Sequence, residues 1–165
     1  MTITAFRSFA LSSVAAMTLL LSACATAPVP ATLADTIAAN PQLSTFNRLV
    51  EQAELKSTLQ AAGPVTVFAP NDEAFKAVPA KTLEALGKDK EQLKWVLSFH
   101  ILPAQVNAAD VKNGNVKTLQ GADLAVGRAG DFVTVEDGMV QQADIKASNG
   151  VLHIVDRVLM PPKKK

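Results

Sequence analysis

The side chains able to do chemistry are few in this sequence and far apart. There is one cysteine, Cys24, and there are two histidines, His100 and His153. A structural or catalytic zinc centre needs three or four nitrogen, sulfur or carboxylate ligands converging on one point, and no third nitrogen or sulfur joins the two imidazoles. No metal site is expected. A serine nucleophile is conceivable at Ser98 or Ser148, but neither stands in the glycine-flanked turn that exposes a hydrolase nucleophile. Gly127-Arg128-Ala129-Gly130 has neither the spacing nor the lysine-hydroxyl pair of a phosphate loop. His153 stands between Leu152 and Ile154, where an imidazole is expected to be hydrogen-bonded in or beside a sheet. His100 falls at a helix end, where terminal carbonyls need donors. The inventory predicts a chain that is not an enzyme and takes no cofactor.

Cys24 has a different chemistry available. Arg7 is the only charge before Asp35, and the apolar and small residues from Phe9 to Leu21 follow it as the apolar region of an export signal follows its charged start. The stretch is shorter than a membrane span and is broken by Ser12, Ser13 and Thr18. It ends in Leu21-Ser22-Ala23-Cys24, which resembles the bacterial lipobox: small residues let the extended chain enter a peptidase, and the thiol takes a diacylglyceryl group. Residues 1–23 are therefore expected to be a lipoprotein signal peptide. Cys24 becomes the lipid attachment site, and several acyl chains, at about 0.8 kcal/mol per buried methylene, supply a stable anchor. Ala25 resembles the residue context that sorts lipoproteins to the outer membrane. With its one cysteine so assigned, the chain forms no internal disulfide.

Composition bounds the rest. Lys and Arg number 16 against 15 Asp and Glu, a formal charge of +1, so the basic footprint of a nucleic-acid binder is missing. Hydrophobic residues at 48% and charged residues at 19% fit one compact domain. With seven Phe, one Trp and no Tyr, aromatic platforms for bases or sugars lack raw material.

The elements that position these residues follow from punctuation and period. Residues 24–32 are a lipidated cysteine and a small-residue, proline-containing tether that cannot bury a core. Leu33, Ile37 and Ala38 predict a helix stopped by Pro41. Ser44 is expected to cap a second helix in which Phe46, Leu49, Val50 and Ala53 share a face. Val65 to Ala69, between Pro64 and Pro70, reads as a buried strand, with Asn71 or Asp72 capping the helix that follows. Two more helices are expected over Ala80–Leu86 and Asp89 to about Phe99, the second placing Trp95 in the core. From Val116 onward short β-type runs alternate with turns, and Asn149-Gly150 suggests a tight hairpin turn needing positive φ. Helices followed by strands predict an α+β domain.

Two segments carry a family resemblance. Thr66-Val67-Phe68-Ala69-Pro70-Asn71-Asp72-Glu73-Ala74-Phe75 and Asn149-Gly150-Val151-Leu152-His153-Ile154-Val155-Asp156-Arg157-Val158-Leu159-Met160-Pro161-Pro162 resemble the two signature boxes of the fasciclin domain, and Phe99-His100-Ile101-Leu102-Pro103 resembles its Tyr-His segment. The similarity spans residues 33–162. It implies a fasciclin-like α+β fold of about seven strands in a two-sheet wedge with a group of packed helices. Physically the boxes read as folding devices, a buried strand passed to a capped helix and a turn followed by a strand, which should pack near one another.

The resemblance also implies adhesion or extracellular interaction. In some members the Tyr-His segment and an Asp-Ile pair take part in cell attachment, and these positions fall on Phe99, His100, Asp144 and Ile145 here, Phe99 lacking the phenolic hydroxyl. The resulting expectation is a non-enzymatic lipoprotein of the bacterial cell envelope, lipid-anchored at the outer membrane, with a protein or polysaccharide partner and no nucleic acid. A carrier for a small apolar ligand and an envelope hydrolase using His100 or His153 are the alternatives. Lys163-Lys164-Lys165 reads as a basic, solvated tail with at most a weak attraction to anionic surfaces.

Overall fold

The computed structural model describes residues 31–162; the expected signal peptide, Cys24 and the basic tail lie outside them. Thr32 opens helix α1 (Leu33–Ala39) with a capping box: its hydroxyl accepts the Asp35 N–H while the Asp35 carboxylate accepts the Thr32 N–H. A 3₁₀ turn at Pro41–Leu43 leads into α2 (Ser44–Gln52). Ser44 is not the cap expected of it. It is already helical, and its hydroxyl donates to the Asp72 carboxylate, which also accepts the Thr45 N–H. A side chain 28 positions away thus does the work assigned to the local serine. Short α3 (Lys56–Gln60) buries Leu59 before strand β1 (Val65–Pro70).

Asn71 caps α4 (Asp72–Lys76) by accepting the Ala74 N–H at 2.7 Å. Helices α5 (Ala80–Lys88) and α6 (Lys90–Phe99) follow, the second capped by Asp89. On α6 the buried stripe is Leu93, Val96, Leu97 and Phe99. Trp95 lies to one side of that stripe and is half-buried, so the core position expected for it is not the one it takes. The chain then turns through β2 (Ile101–Leu102) into β3 (Gly114–Lys117), β4 (Asp123–Ala129), β5 (Phe132–Val135), β6 (Gly138–Ala147) and β7 (Gly150–Val155).

The seven strands run in the order β2-β1-β7-β6-β5-β4-β3. At the centre β1 and β7 are parallel, in register from Val65 opposite Gly150 to Pro70 opposite Val155. This register lays the two signature segments side by side. β7 is buried along its whole length and β1 along all but Val65, the condition of a parallel pair covered on both faces. Val67, Ala69, Leu152 and Ile154 face the helical layer with Leu33, Phe46 and Leu59. Phe68 and Val155 face the other way, into a second core with Leu124, Val126, Val133 and Val135 from β4 and β5.

That second core exists because the sheet folds over on itself. β6 pairs with β5 only through Met139 and Gly138, then with β7 from Val140 onward, and bulges on either side of Gln142 bend it between the two. The hairpin between β6 and β7 closes with Ala147 opposite Gly150. Gly150 is not at positive φ, contrary to the turn expected from Asn-Gly. Its glycine serves a close approach instead: a Cβ there would overlap the Val65 carbonyl of the neighbouring strand. Asn149 pins the same corner, its carbonyl oxygen accepting the Leu33 N–H and its amide donating to the Leu59 and Ala61 carbonyls.

Candidate functional site

The polar chemistry of the described residues gathers around the two histidines. After β2 the segment 104–108 crosses the second face of the central sheet as a strap, and three adjacent strands each offer it one side chain. On β1, the Thr66 hydroxyl donates to the Ala104 carbonyl and accepts the Val106 N–H. On β7, His153 Nε2 lies 2.9 Å from the Val106 carbonyl, while the Asp144 N–H approaches Nδ1 at 3.2 Å. On β6, the Asp144 carboxylate accepts the Ala108 N–H at 2.8 Å. The His153 ring also stacks on Phe68, with centroids 5.2 Å apart.

These partners fix the tautomer. An amide N–H can only donate and a carbonyl can only accept, so Nδ1 of His153 carries the lone pair and Nε2 the proton. Asp144 reaches this geometry at a φ of 57°, one of three non-glycine residues in the left-handed region among the described residues. Asp tolerates that region better than most residues. Burial pushes the His153 pKa down, opposed by its bond to Val106 and by the nearby Asp144 charge.

His100 is built the opposite way. Its Nδ1 lies 2.8 Å from the Val96 carbonyl, one turn back in α6, and its Nε2 accepts the Leu159 N–H at 3.0 Å. Here Nδ1 holds the proton. The ring replaces the amide donor that the Val96 carbonyl lacks at the helix end, and it ties α6 to the chain leaving β7. Burial lowers its pKa from 6.5 to about 4, with the Val96 bond acting the other way. All four ring nitrogens of the two histidines are engaged by main-chain groups, which leaves neither a lone pair nor a proton for a substrate.

Of the residues assigned to attachment, Phe99 and His100 are enclosed, at 1% and 0% exposure. A partner reaches neither side chain without opening the core. Asp144 is exposed, and half-buried Ile145 packs against the helical-side core. The structure does not bring the two pairs together: β2, which follows His100, is separated from β6 by β1 and β7.

Other exposed residues escaped the sequence reading. Phe132 is 63% exposed, and Met139 on the adjoining strand is also exposed. The signal for Phe132 was present in the alternation of β5, where Val133 and Val135 are buried and Phe132 and Thr134 point outward. Thr134 is opposite Met139, so Phe132 and Met139 share the outer face as diagonal neighbours.

The sheet is folded over on itself around a parallel central pair, covered by helices on one side, with His153 bracing the strap on the other and His100 tying the end of α6 to the chain leaving β7. The chain belongs to the fasciclin domain family: the Fasciclin domain model matches residues 41–161. It is 40% identical over 133 residues to Protein sll1483 of Synechocystis, covering 79% of this chain and 74% of that protein. It is 35% identical over 128 residues to the cell surface glycolipoprotein MPT83 of Mycobacterium tuberculosis, covering 74% of this chain and 57% of that one. Human periostin is 35% identical over 133 residues, 79% of this chain but 16% of periostin. The chain thus spans only part of the longer relatives. A FAS1 domain pair from the insect cell adhesion molecule fasciclin I has the same fold, with a TM-score of 0.66 at 15% identity over 79% of this chain and 51% of that one. Domains of this family are adhesion or interaction modules, generally without enzymatic activity, and its relatives here include a protein of the cell surface.

Proposed function

We propose that this protein is a membrane-anchored, non-enzymatic lipoprotein that mediates adhesion or interaction in the bacterial cell envelope. Acyl chains on Cys24 hold it to the outer membrane, the tether through residue 32 gives it reach, and the domain over residues 33–162 is presented to a protein or polysaccharide. One observation carries the non-enzymatic half of this reading: the histidines on which catalysis would depend are spent on holding the main chain. The lipobox resemblance carries the anchor, supported by a relative that is itself named a cell surface glycolipoprotein. For the partner surface we take Asp144, exposed on its bulge, with Ile145 beside it; Phe99 and His100 contribute from within by fixing the strap and helix end around them.

Two measurements test this. Cys24→Ala should move the protein from the membrane fraction to the soluble fraction and abolish incorporation of labelled fatty acid, with an unchanged membrane fraction counting against the anchor. Crosslinking on intact cells should capture a partner with the wild-type protein and markedly less with Asp144→Lys. Equal capture would remove Asp144 from the surface.

A further inference from the structure

Between the start of the helical layer and the bend in β6 lies an open groove lined mainly by carboxamides and carboxylates. One hollow, of about 590 Å³, is bounded by Gln42, Asn71, Asp72, Glu73, Gln141 and Gln142. A second, of about 470 Å³, is bounded by Asp35, Asn40 and Pro41, and by Gln42 and Gln142 again. The two shared glutamines make the hollows successive parts of one groove, each within the range of small-molecule sites, about 300–1,000 Å³. Successive residues of a regular strand point to opposite faces, yet Gln141 and Gln142 line one hollow. The register shifts on either side of Gln142 account for that, since a bulge re-aims the side chains beside it.

The fold consumes the carboxylates of this groove and leaves its carboxamides. Asp35 is bonded to Thr32, Asp72 accepts from Ser44 and Thr45, and Glu73 is paired with Lys76. The side chains of Gln42 and Gln142 make no hydrogen bond among the described residues, and both residues are exposed. Asn40 and Asn71 accept the Gln42 and Ala74 N–H groups through Oδ1. That fixes each side chain and leaves its Nδ2 with two unused protons among the described residues. Donors held in place before binding cost little further ordering.

The unused groups select the ligand. No basic side chain among the described residues lines either hollow, and three carboxylates do, so an anion is repelled. The exposed large apolar residues Leu119, Phe132, Met139 and Met160 all lie outside the lining, so the buried anchor on which a protein partner depends has no counterpart here. A hydroxyl can turn to donate or accept and does not tell a carboxamide from a carboxylate. An acetamido group does: its carbonyl only accepts, matching Nδ2, and its N–H only donates, matching a glutamine Oε1. Hydrogen bonding then replaces the aromatic stacking for which the chain lacks residues.

We propose that this groove binds a neutral polysaccharide bearing acetamido groups, with Asn40 and Asn71 donating through Nδ2 to acetamido carbonyls and Gln42 and Gln142 meeting the remaining polar groups. The site rests on the adhesion reading and deepens it by naming the partner as a glycan. Titrating the purified full chain at pH 7 with the tetramer of N-acetylglucosamine should give a Kd of about 1 mM or tighter and move the side-chain amide NMR signals of Asn40 and Asn71. The glucose tetramer of the same linkage, with hydroxyls in place of acetamido groups, should bind at least about tenfold more weakly. Asn40→Asp and Asn71→Asp keep the capping oxygen and lose the donor, so each should weaken the acetamido tetramer about fivefold with the melting temperature unchanged. Should a cap variant unfold, Gln42→Ala with Gln142→Ala, which removes no bond from the fold, should weaken it about tenfold.

Absence of binding up to about 10 mM, equal affinity for the glucose tetramer, or unchanged affinity in the Asn40→Asp and Asn71→Asp double variant overturns the site. Binding of an uncharged asparagine-rich peptide with none of the glycan overturns it as well, and makes the groove a peptide site. The two readings fail separately: a partner captured on cells while the purified chain ignores both tetramers removes this site and leaves adhesion standing, whereas selective tetramer binding with capture unchanged by Asp144→Lys keeps the groove and removes Asp144.

Discussion

His100 and His153 are both buried, both neutral and both bonded through two nitrogens, yet they respond to acid in different ways. A proton added to His100 turns Nε2 into a donor facing the Leu159 N–H, deep in a region with no carboxylate among the causes of its shift. Charge and geometry then oppose each other with nothing to relieve them. A proton added to His153 turns Nδ1 into a donor facing the Asp144 N–H, but the carboxylate of the same Asp144 is close enough to favour the charge. The difference teaches that the end of α6 is latched by a joint that works only uncharged, whereas the strap over the sheet is latched by one with a counter-charge built beside it.

Removing each ring breaks the comparison most directly. His100→Ala leaves the Val96 carbonyl and the Leu159 N–H unpaired in the core and opens a cavity beside Phe46, whose ring centroid is 6.1 Å from that of His100. The expected loss is about 4 kcal/mol. Urea denaturation at pH 7 measures it, and a loss below about 1 kcal/mol means the joint is not structural.

Acid sharpens the same contrast. The folded-state pKa of His100 is lowered from 6.5 to about 4, so the unfolded chain binds the extra proton first. Its stabilising contribution is present in full above pH 6.5, falls as pH drops through the window between the two values, and is gone below about 4. Wild-type protein should lose about 3 kcal/mol across that window from this group. A His100→Gln variant, less stable at pH 7, should show a flatter profile. Parallel profiles would assign the acid sensitivity elsewhere.

His153→Phe is the gentler break. Phenylalanine can keep the stack on Phe68, but the Val106 carbonyl and Asp144 N–H lose their partner, and the strap they hold is half exposed. The expected loss is about 2 kcal/mol. Hydrogen exchange should quicken at Val106 and Ala108 while α6 stays protected; quickening throughout α6 would merge the two joints into one cooperative unit.

How much of this was legible in the sequence follows from the range of the interactions. The β1 strand, the Asn71 cap and the late strands are announced by neighbouring residues, and the two signature segments, by resemblance, announced the fold in which they lie together. Ser44 misled because its partner, Asp72, is remote in sequence. Gly150 misled because the constraint on it is the Val65 carbonyl across a parallel register, which no local pattern encodes. Trp95 misled because its apolar neighbours in sequence occupy a different face of α6. That the two imidazoles would be hydrogen-bonded at a helix end and beside a sheet was legible. That they are opposite tautomers was not, since the tautomer is set by Leu159 in one case and by Asp144 and Val106 in the other.

The smallest expected effect isolates the counter-charge. Asp144→Asn retains a side-chain oxygen to accept the Ala108 N–H and a residue type that tolerates φ 57°, so stability at pH 7 should change by less than about 0.5 kcal/mol. What the variant removes is the negative charge that raises the His153 pKa against burial. NMR titration of the two imidazoles should therefore show the His153 pKa falling further below its ordinary value while that of His100 stays where it was. If both pKa values move together, the carboxylate acts on the whole domain and not on one joint. If the His153 value rises, the Asp144 N–H and not its charge governs the ring, and the distinction between a bare latch and a compensated one is lost.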